Sequence, residues 1–264
     1  MSGLEFSYFQ LLASAPIYIP KVGGILSPTL QDVADIGGDT VYQYYLNILL
    51  VDAEQLFSMA NKSDDYNSMS DEERFALNVF DIFVGDDRLI SLLETSLNFF
   101  IKEDVLFSKE YGVFEVKTNV VIKSNDGNED KYTTIGLIDR ENFADVVSVI
   151  CKRNNIKTKE LHDVKKVKSK KALAILEKLK KGREAKTVKA DKDMDLGNII
   201  SAVANKSQSL NIVNIWDLTI YQLWDCFARV NNNNAYDINA ASVSAWGDKD
   251  KKFDFGGWYR RLTD

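Results

Sequence analysis

The N-terminal pattern of apolar and polar positions predicts a helical bundle preceded by a short β-structure. Short β-prone runs flank Gly23–Gly24, which predicts a small hairpin or an extended arm. Ser27 followed by Pro28 is typical of a helix N-terminus, because proline lacks only a donor that would have no partner there. Apolar positions at helical spacing then recur along the chain, so residues 28–103 are predicted to form the bundle.

Three features define helices within this bundle. Residues 40–60 are apolar on nearly all sides, which is typical of a buried helix. Ser70 and Glu73 have the spacing of a capping box, and they predict the start of a helix that ends at Gly85. The acids that open the run DDRLISLLETSLNFFI predict the first turn of another helix, where the helix dipole favours negative charge.

Beyond residue 108 the hydrophobic pattern changes from helical spacing to alternation. The run GVFEVKTNVVIKS alternates along its length, the turn sequence NDGNED follows, and KYTTIGLI again has strand character. These three elements in this order predict an antiparallel β-hairpin. Asp139 and Asn142 then precede an apolar stripe at helical spacing, which predicts a helix.

The stretch NIWDLTIYQLWDCFARV, residues 214–230, concentrates aromatic side chains and is followed by four asparagines. Spacings of 4, 7, 8 and 11 from Trp216 place the apolar side chains on one face of a predicted helix. Such a face is more often core than interface, but tryptophan is enriched among interface anchors, and the unit is small for a self-sufficient core. We therefore predict four partner-binding residues, some of which pack on their own unit: Trp216, Trp224, Phe227 and Trp246.

Together these patterns predict an α+β fold that is predominantly α-helical with a central antiparallel β-hairpin. Four segments are predicted along the chain: an N-terminal helical domain with a short β-arm (1–107), the β-hairpin plus a helix (108–151), a basic helical connector (152–192) and a C-terminal aromatic helical unit (193–264). The aromatic tail KKFDFGGWYRRLTD is expected to pack back on this last unit or to dock on a neighbour.

Composition narrows the class of protein. With 264 residues, of which 45% are hydrophobic and 27% charged, the chain can bury a core. Its net charge of −6 argues against a dedicated nucleic-acid binder. Cys151 and Cys226, the only cysteines, have no metal-ligand or redox spacing, which fits a reducing compartment. Neither a signal peptide nor a transmembrane helix is expected, because Glu5 interrupts the N-terminal apolar residues and no long uncharged apolar run occurs.

The connector 152–192 contains sixteen Lys and Arg residues against five Asp and Glu residues. Contact with a phosphate backbone is its functional interpretation, although the segment has no aromatic residues on which bases could stack. It also fits a solvated linker or an electrostatic match to an acidic protein surface. A membrane helix is less favoured, because the apolar stripe lacks Trp and Phe. The lysines of the nucleic-acid alternative are Lys165, Lys166, Lys168, Lys170 and Lys171.

The sequence offers no recognisable catalytic or metal-binding chemistry. His162 is the only histidine, whereas a catalytic histidine needs a positioned partner and a zinc site needs several ligands. The acidic clusters lie in loops and helix first turns, where capping explains them. No phosphate-binding loop, nucleophile elbow or kinase signature occurs. We expect a protein that is not an enzyme and has no catalytic residues, cofactor or metal.

Two stretches resemble proteins encoded beside the tape measure in tailed phages of Gram-positive bacteria. The first is YIPKVGGILSPTLQDVADIGGDTVYQYYLNILL, residues 18–50, in which an extended element precedes a helix and then a tyrosine-rich helix. The second is LNIVNIWDLTIYQLWDCFARVNNNNAYDINAASVSAWG, residues 210–247, where the family pattern has a polar turn after the aromatic helix. Together they cover about a quarter of the chain.

The resemblance implies a tail assembly chaperone or another tail morphogenesis factor without enzymatic activity. The implied partners are other phage tail proteins, namely the tape measure or the tail tube, and a homo-oligomer is compatible with this role. Neither a membrane nor nucleic acid is an expected partner. The implied location is the host cytoplasm, with association with the virion as the alternative. A structural virion protein fits the same residues, and a nucleic-acid-associated protein that uses segment 152–192 is the other alternative.

Overall fold

The computed structural model describes residues 4–124, 127–156, 194–249 and 251–262, without the side chains of residues 119–132. The chain divides into two units, unit 1 at residues 1–157 and unit 2 at residues 158–264. Eleven α-helices and two small antiparallel sheets in the described residues confirm the predicted α+β, predominantly helical class. None of the described helices combines the length and apolar character that crossing a membrane requires.

Most helices of unit 1 are short. The nine described ones are α1 (Tyr8–Leu12), α2 (Leu30–Asp35), α3 (Asp39–Leu50), α4 (Ala53–Met59), α5 (Ser63–Ser68), α6 (Asp71–Ala76), α7 (Val79–Val84), α8 (Asp87–Phe100) and α9 (Phe143–Arg153). Its strands are β1 (Ile17–Ile19), β2 (Gly23–Ile25), β3 (Asp104–Ser108), β4 (Val113–Ser124) and β5 (Gly127–Ile138). The described helices of unit 2 are α10 (Leu196–Lys206) and α11 (Ile220–Trp246), with 3-10 turns at Ile215–Asp217 and Gly257–Tyr259.

β1 and β2 form the small hairpin predicted near the N-terminus, but Gly23–Gly24 lies in β2 rather than in the turn. Ile17 of β1 pairs with Ile25 of β2. The glycines permit close approach, since a Cβ on Gly23 would lie 2.8 Å from Oε2 of Glu103. The Gly24 N–H donates to the same oxygen at 2.8 Å, which ties β2 to the segment that precedes β3.

The predicted start of α2 at Ser27–Pro28 is wrong by two residues. Thr29 is the N-cap: its Oγ1 accepts from the Asp32 N–H at 3.0 Å, and the Asp32 carboxylate accepts from the Thr29 N–H at 2.7 Å. Ser27 has a different role, because it is buried and its hydroxyl donates to the carbonyl of Arg153 at 2.7 Å. A distant partner therefore outweighs the local capping tendency of this serine.

Two predicted helices are each broken in two. The apolar run 40–60 forms α3 and α4, because Asp52 accepts from the Gln55 N–H at 3.0 Å and starts a new helix inside the run. The run after Ser70 forms α6 and α7, since the Asn78 side chain accepts from the Phe80 N–H at 2.9 Å. The capping box of Ser70 and the helix end at Gly85 are confirmed.

The second sheet has the strand order β3-β4-β5, and all pairs are antiparallel. The predicted hairpin is therefore confirmed as β4–β5, whereas β3 has no counterpart in the sequence prediction. β3 pairs with β4 only between Val113 and Lys117. Beyond Lys117 the hairpin continues as two strands up to the pair Ser124 and Gly127, after a register shift at Val116.

The core of unit 1 lies between the sheet and the helices α7, α8 and α9. Phe80 packs against Phe114 and Phe143 with ring centroids 6.1 and 5.6 Å apart, and Phe83 packs against Phe143 at 6.1 Å. Phe83 and Phe114 have no exposed surface. Side chains from α7, β4 and α9 thus close one continuous apolar cluster.

Arg153, the last residue of α9, is fully buried in unit 1. Its guanidinium donates through Nη1 and Nη2 to the end of α1 and to the chain that follows it, at donor–acceptor distances of 3.0–3.1 Å. The accepting carbonyls are those of Gln10, Leu11, Ala13 and Ala15. Next to it, Lys152 donates to the carbonyl of Leu4 at 2.6 Å. The first two cations of the predicted basic segment are therefore part of the interior contacts of unit 1.

Candidate protein-binding surface

The described part of unit 2 begins with the amphipathic helix α10. Asp195 caps it by accepting from the Asn198 N–H at 2.9 Å. Apolar side chains at helical spacing are buried along one face: Leu196, Ile199, Ile200, Val203 and Ala204. This face packs against α11, so α10 supplies the partner surface for the start of the long helix.

Trp216 lies before α11 and not on it, so the predicted single helix over residues 214–230 is wrong at its start. It belongs to the 3-10 turn, and its Nε1 donates to the carbonyl of Ile212 at 2.8 Å. Thr219 starts α11 with a capping box: its hydroxyl accepts from the Gln222 N–H, and the Gln222 side chain accepts from the Thr219 N–H. The half-buried Trp216 side chain therefore stabilises the turn that precedes α11.

Burial along α11 is concentrated at its first turn. Its buried residues are Ile220, Tyr221 and Leu223. Trp224 and Phe227 are half-buried and contact each other edge to face at 6.2 Å. In the remaining described helix up to Trp246, every residue is half-buried or exposed. The aromatic stripe therefore starts in the core of unit 2 and leaves it within two turns.

The C-terminal tail packs back along α11, which is one of the two outcomes expected from the sequence. Asn232 donates to the carbonyl of Gly257 at 3.0 Å, and the Tyr236 hydroxyl donates to the carbonyl of Phe255 at 3.3 Å. The rings of Tyr236 and Phe253 lie 5.4 Å apart. Closer to the start of the helix, Arg229 donates to the carbonyl of Arg260 at 2.7 Å.

The four asparagines 231–234 are helical, although the resemblance implies a polar turn at this place. Asparagine is a poor helix former because its side chain competes for backbone hydrogen bonds. The helix nevertheless continues through them to Trp246. Bonds from Asn232 to the tail carbonyls supply part of the stabilisation that local propensity does not.

Aromatic side chains of unit 2 remain exposed after the tail has packed. Trp246 is 80% exposed, Phe255 76% and Trp258 54%. Aromatic side chains that stay exposed are candidate contact residues for a partner, because tryptophan in particular is enriched among interface anchors. Of the four predicted partner-binding residues, Trp246 is thus well placed to reach a partner, Trp224 and Phe227 are partly available, and Trp216 is occupied locally.

The charges of this part of unit 2 are nearly balanced. Between Met194 and Asp264 seven Lys and Arg residues accompany eight Asp and Glu residues, so the excess of cations in the sequence lies before Met194. One of these charge pairs, Arg260 with Asp254, lies within the tail itself. Cys226 is a free thiol whose pKa is raised by burial and then by Asp225, so it is a neutral side chain on α11.

Other candidate sites in the described residues do not bring together groups that suggest a ligand or a reaction. A shallow cleft of about 320 Å³ between α4 and α7 is lined by Phe57, Lys62 and Asp81, among others, and Asp81 is already paired with Arg140 at 3.2 Å. Within the described ranges, no group of three His, Cys, Asp or Glu residues could hold a metal ion. The five lysines of the nucleic-acid alternative, Lys165 to Lys171, lie outside the described residues, as does His162.

The fold and this surface define a protein with an N-terminal unit that encloses an aromatic core and a C-terminal unit that exposes aromatic side chains at the end of a long helix and on the tail. Residues 186–263 match the protein family described as YomV second domain, a phage-derived family. The match covers α10, α11 and the tail, and it supports a phage protein. No match is found among curated proteins or solved structures.

Proposed function

We propose that the chain is a non-enzymatic phage tail morphogenesis factor that binds another tail protein through the exposed aromatic side chains of unit 2. The observation that carries this proposal is the exposure of Trp246, Phe255 and Trp258 on a unit that already has its own small core. Tryptophan and other aromatic residues contribute most of the binding energy in protein interfaces. The charges of residues 194–264 are nearly balanced, which is compatible with a contact through apolar side chains.

Two further observations support the proposal. The phage-derived family match falls on residues 186–263, the part of the chain that includes the exposed Trp246, Phe255 and Trp258. The sequence resemblance to tail proteins also includes α11. The tape measure is the proposed partner, with the tail tube protein as the alternative, because these are the partners that the sequence resemblance implies.

The test is capture of tail proteins from cells that are producing the phage. Tagged full-length chain is compared with the double variant Phe255→Ser/Trp258→Ser, and bound proteins are identified by mass spectrometry. We expect the wild type to retain the tape measure or tail tube protein and the variant to lose most of it. Since both side chains are largely exposed, the melting temperature should change by less than about 2 °C.

A matched control is Phe9→Ser, because Phe9 is an aromatic residue of unit 1 with 80% exposure. This variant should capture tail proteins as the wild type does. Equal capture by the double variant, or a wild type that retains no tail protein, would contradict the proposal. If the double variant melts early, Trp246→Ser tests the same surface with a single change.

A further inference from the structure

The long helix α11 carries a heptad pattern that runs through most of its length. Starting at its buried first turn, positions separated alternately by four and three residues lie on one stripe, here called the α11 stripe: Ile220, Trp224, Phe227, Asn231, Asn234, Ile238, Ala241 and Ala245. This spacing keeps side chains on one side of a helix when it packs along a second helix. The stripe is core at Ile220, half-buried at Trp224, Phe227 and Asn234, and exposed at its other positions.

The tail does not cover the α11 stripe. It is held by Arg229, Asn232 and Tyr236, which at about 100° per residue lie on the opposite side of the helix. On the stripe itself, Ile238 remains 71% exposed. The tail therefore covers one side of α11, while the other side carries the solvent-exposed apolar residue Ile238.

The uncovered side is also poor in charge. Between Val230 and Trp246, Asp237 is the only charged residue, whereas solvent-exposed helices normally carry many charges. Asparagines replace them, and these lower helix propensity. Apolar side chains with buried-type spacing and a few asparagines are typical of a helix–helix contact, in which asparagine selects the alignment.

The stripe is complementary to itself when two copies run antiparallel. In an antiparallel pair, each a position faces a d position of the other helix. This alignment sets Trp224 opposite Ala241 and Phe227 opposite Ile238, so that large side chains meet smaller ones. It also sets Asn231 opposite Asn234, where the two amides can donate to and accept from each other. Apolar residues thus face apolar residues, and amides face amides.

A parallel pair fits the same residues less well. It would place Trp224 against its own copy and Ala245 against its own copy, which requires a wide separation at one end and a narrow one at the other. In the antiparallel alignment each large side chain faces a smaller one, so the two helices can keep an even separation. The helix dipoles also lie in the favourable antiparallel sense. The flanking residues Ala228, Ala235 and Ser242 are small enough for close approach in this arrangement.

We infer that α11 binds α11 of a second copy of this chain in an antiparallel pair, with Asn231 of each helix opposite Asn234 of the other. In this alignment the paired stretch runs from Trp224 to Ala241 and is about 26 Å long. A contact of this length is short, so we expect a concentration-dependent dimer and not an obligate one. The exposed tail residue Phe255 is carried by the segment on the other side of α11, so self-association leaves it available.

The first experiment measures the mass of the full chain in solution by sedimentation equilibrium over about 1–100 μM. We expect a concentration-dependent dimer for the wild type. Ile238→Lys should weaken it at least tenfold, because it places two charges in the contact. Asn239→Lys is the matched control, since it adds the same charge one residue later on an exposed position away from the stripe, and it should dimerise as the wild type does.

A monomer at all concentrations, or equal dimerisation of Ile238→Lys and wild type, would overturn the inference. Circular dichroism of both lysine variants shows whether α11 stays helical. Because the inference requires no tail protein, a dimer without tail-protein capture leaves it standing and removes only the proposed function. Capture of tail proteins by a chain that stays monomeric would contradict the dimer and leave the proposed function standing.

Orientation is tested with one spin label at Ser244→Cys in a Cys226→Ser background. In the antiparallel pair the two labels are separated by about 35 Å along the helix axis, whereas a parallel pair brings them within about 20 Å. Electron–electron double resonance distinguishes these distances. The short distance would contradict the antiparallel alignment.

Discussion

Unit 1 and unit 2 differ in how far their apolar side chains are enclosed. In unit 1, rings from α7, β4 and α9 meet in a closed cluster, and Phe83 has no exposed surface. In the described part of unit 2, every buried apolar side chain lies at or before Leu223. Unit 1 therefore has the core of a self-sufficient domain, while the distal half of unit 2 presents surface that a partner can enclose.

The largest expected effect is the difference in free energy of unfolding between replacing a buried aromatic residue and replacing an exposed one. Phe83→Ala should lower the free energy of unfolding by about 3–5 kcal/mol, because it removes a fully buried ring and leaves a cavity. Phe255→Ala, at 76% exposure, should change it by less than about 0.5 kcal/mol. Urea denaturation of both variants measures the two values. Similar losses for the two would show that unit 2 encloses its aromatics as unit 1 does.

A smaller but still large effect is expected at Arg153. Arg153→Met keeps the length of the side chain but removes the donors of four carbonyl groups, so unit 1 should lose about 3 kcal/mol. Near-ultraviolet circular dichroism during denaturation follows this loss. A matched control is Arg88→Met on the exposed surface of α8, which should be nearly neutral, and equal stability of the two variants would rule out the structural role of Arg153.

The smallest effect compares two capping boxes. Glu73 of unit 1 has a pKa lowered by its bonds to the backbone and side chain of Ser70, whereas the corresponding residue of unit 2 is the neutral Gln222. A carboxylate whose pKa is lowered in the folded state stabilises the folded protein when the pH is above the ordinary pKa. This stabilisation is lost as the pH falls through the folded-state pKa. Ser70→Ala should therefore cost stability at pH 7 and progressively less below about pH 4.3. Thr219→Ala should cost about 1 kcal/mol in this range without that dependence.

These two melting series are recorded at several pH values with matched buffers. A pH-independent loss for Ser70→Ala would mean that the Glu73 carboxylate does not contribute to the cap. The comparison also tests how much the stability of unit 2 depends on the start of α11. A loss well above about 2 kcal/mol in the free energy of unfolding for Thr219→Ala would exceed what a helix cap supplies.

Local chemistry made several features predictable from sequence. The capping box at Ser70, the helix end at Gly85 and the hairpin β4–β5 follow from residues within a few positions of one another. Such features depend on backbone periodicity and short-range hydrogen bonds, which act before any distant contact is formed.

What only the tertiary structure decided involves partners that are distant in sequence. The basic segment includes Arg153 by composition, yet this residue is buried against carbonyls about 140 positions earlier. Ser27 bonds to Arg153 instead of capping a helix. The tail selects which side of α11 is covered, and this choice leaves Ile238 exposed. Periodicity determines which residues share a face, whereas the packing of distant segments determines whether that face is core or surface.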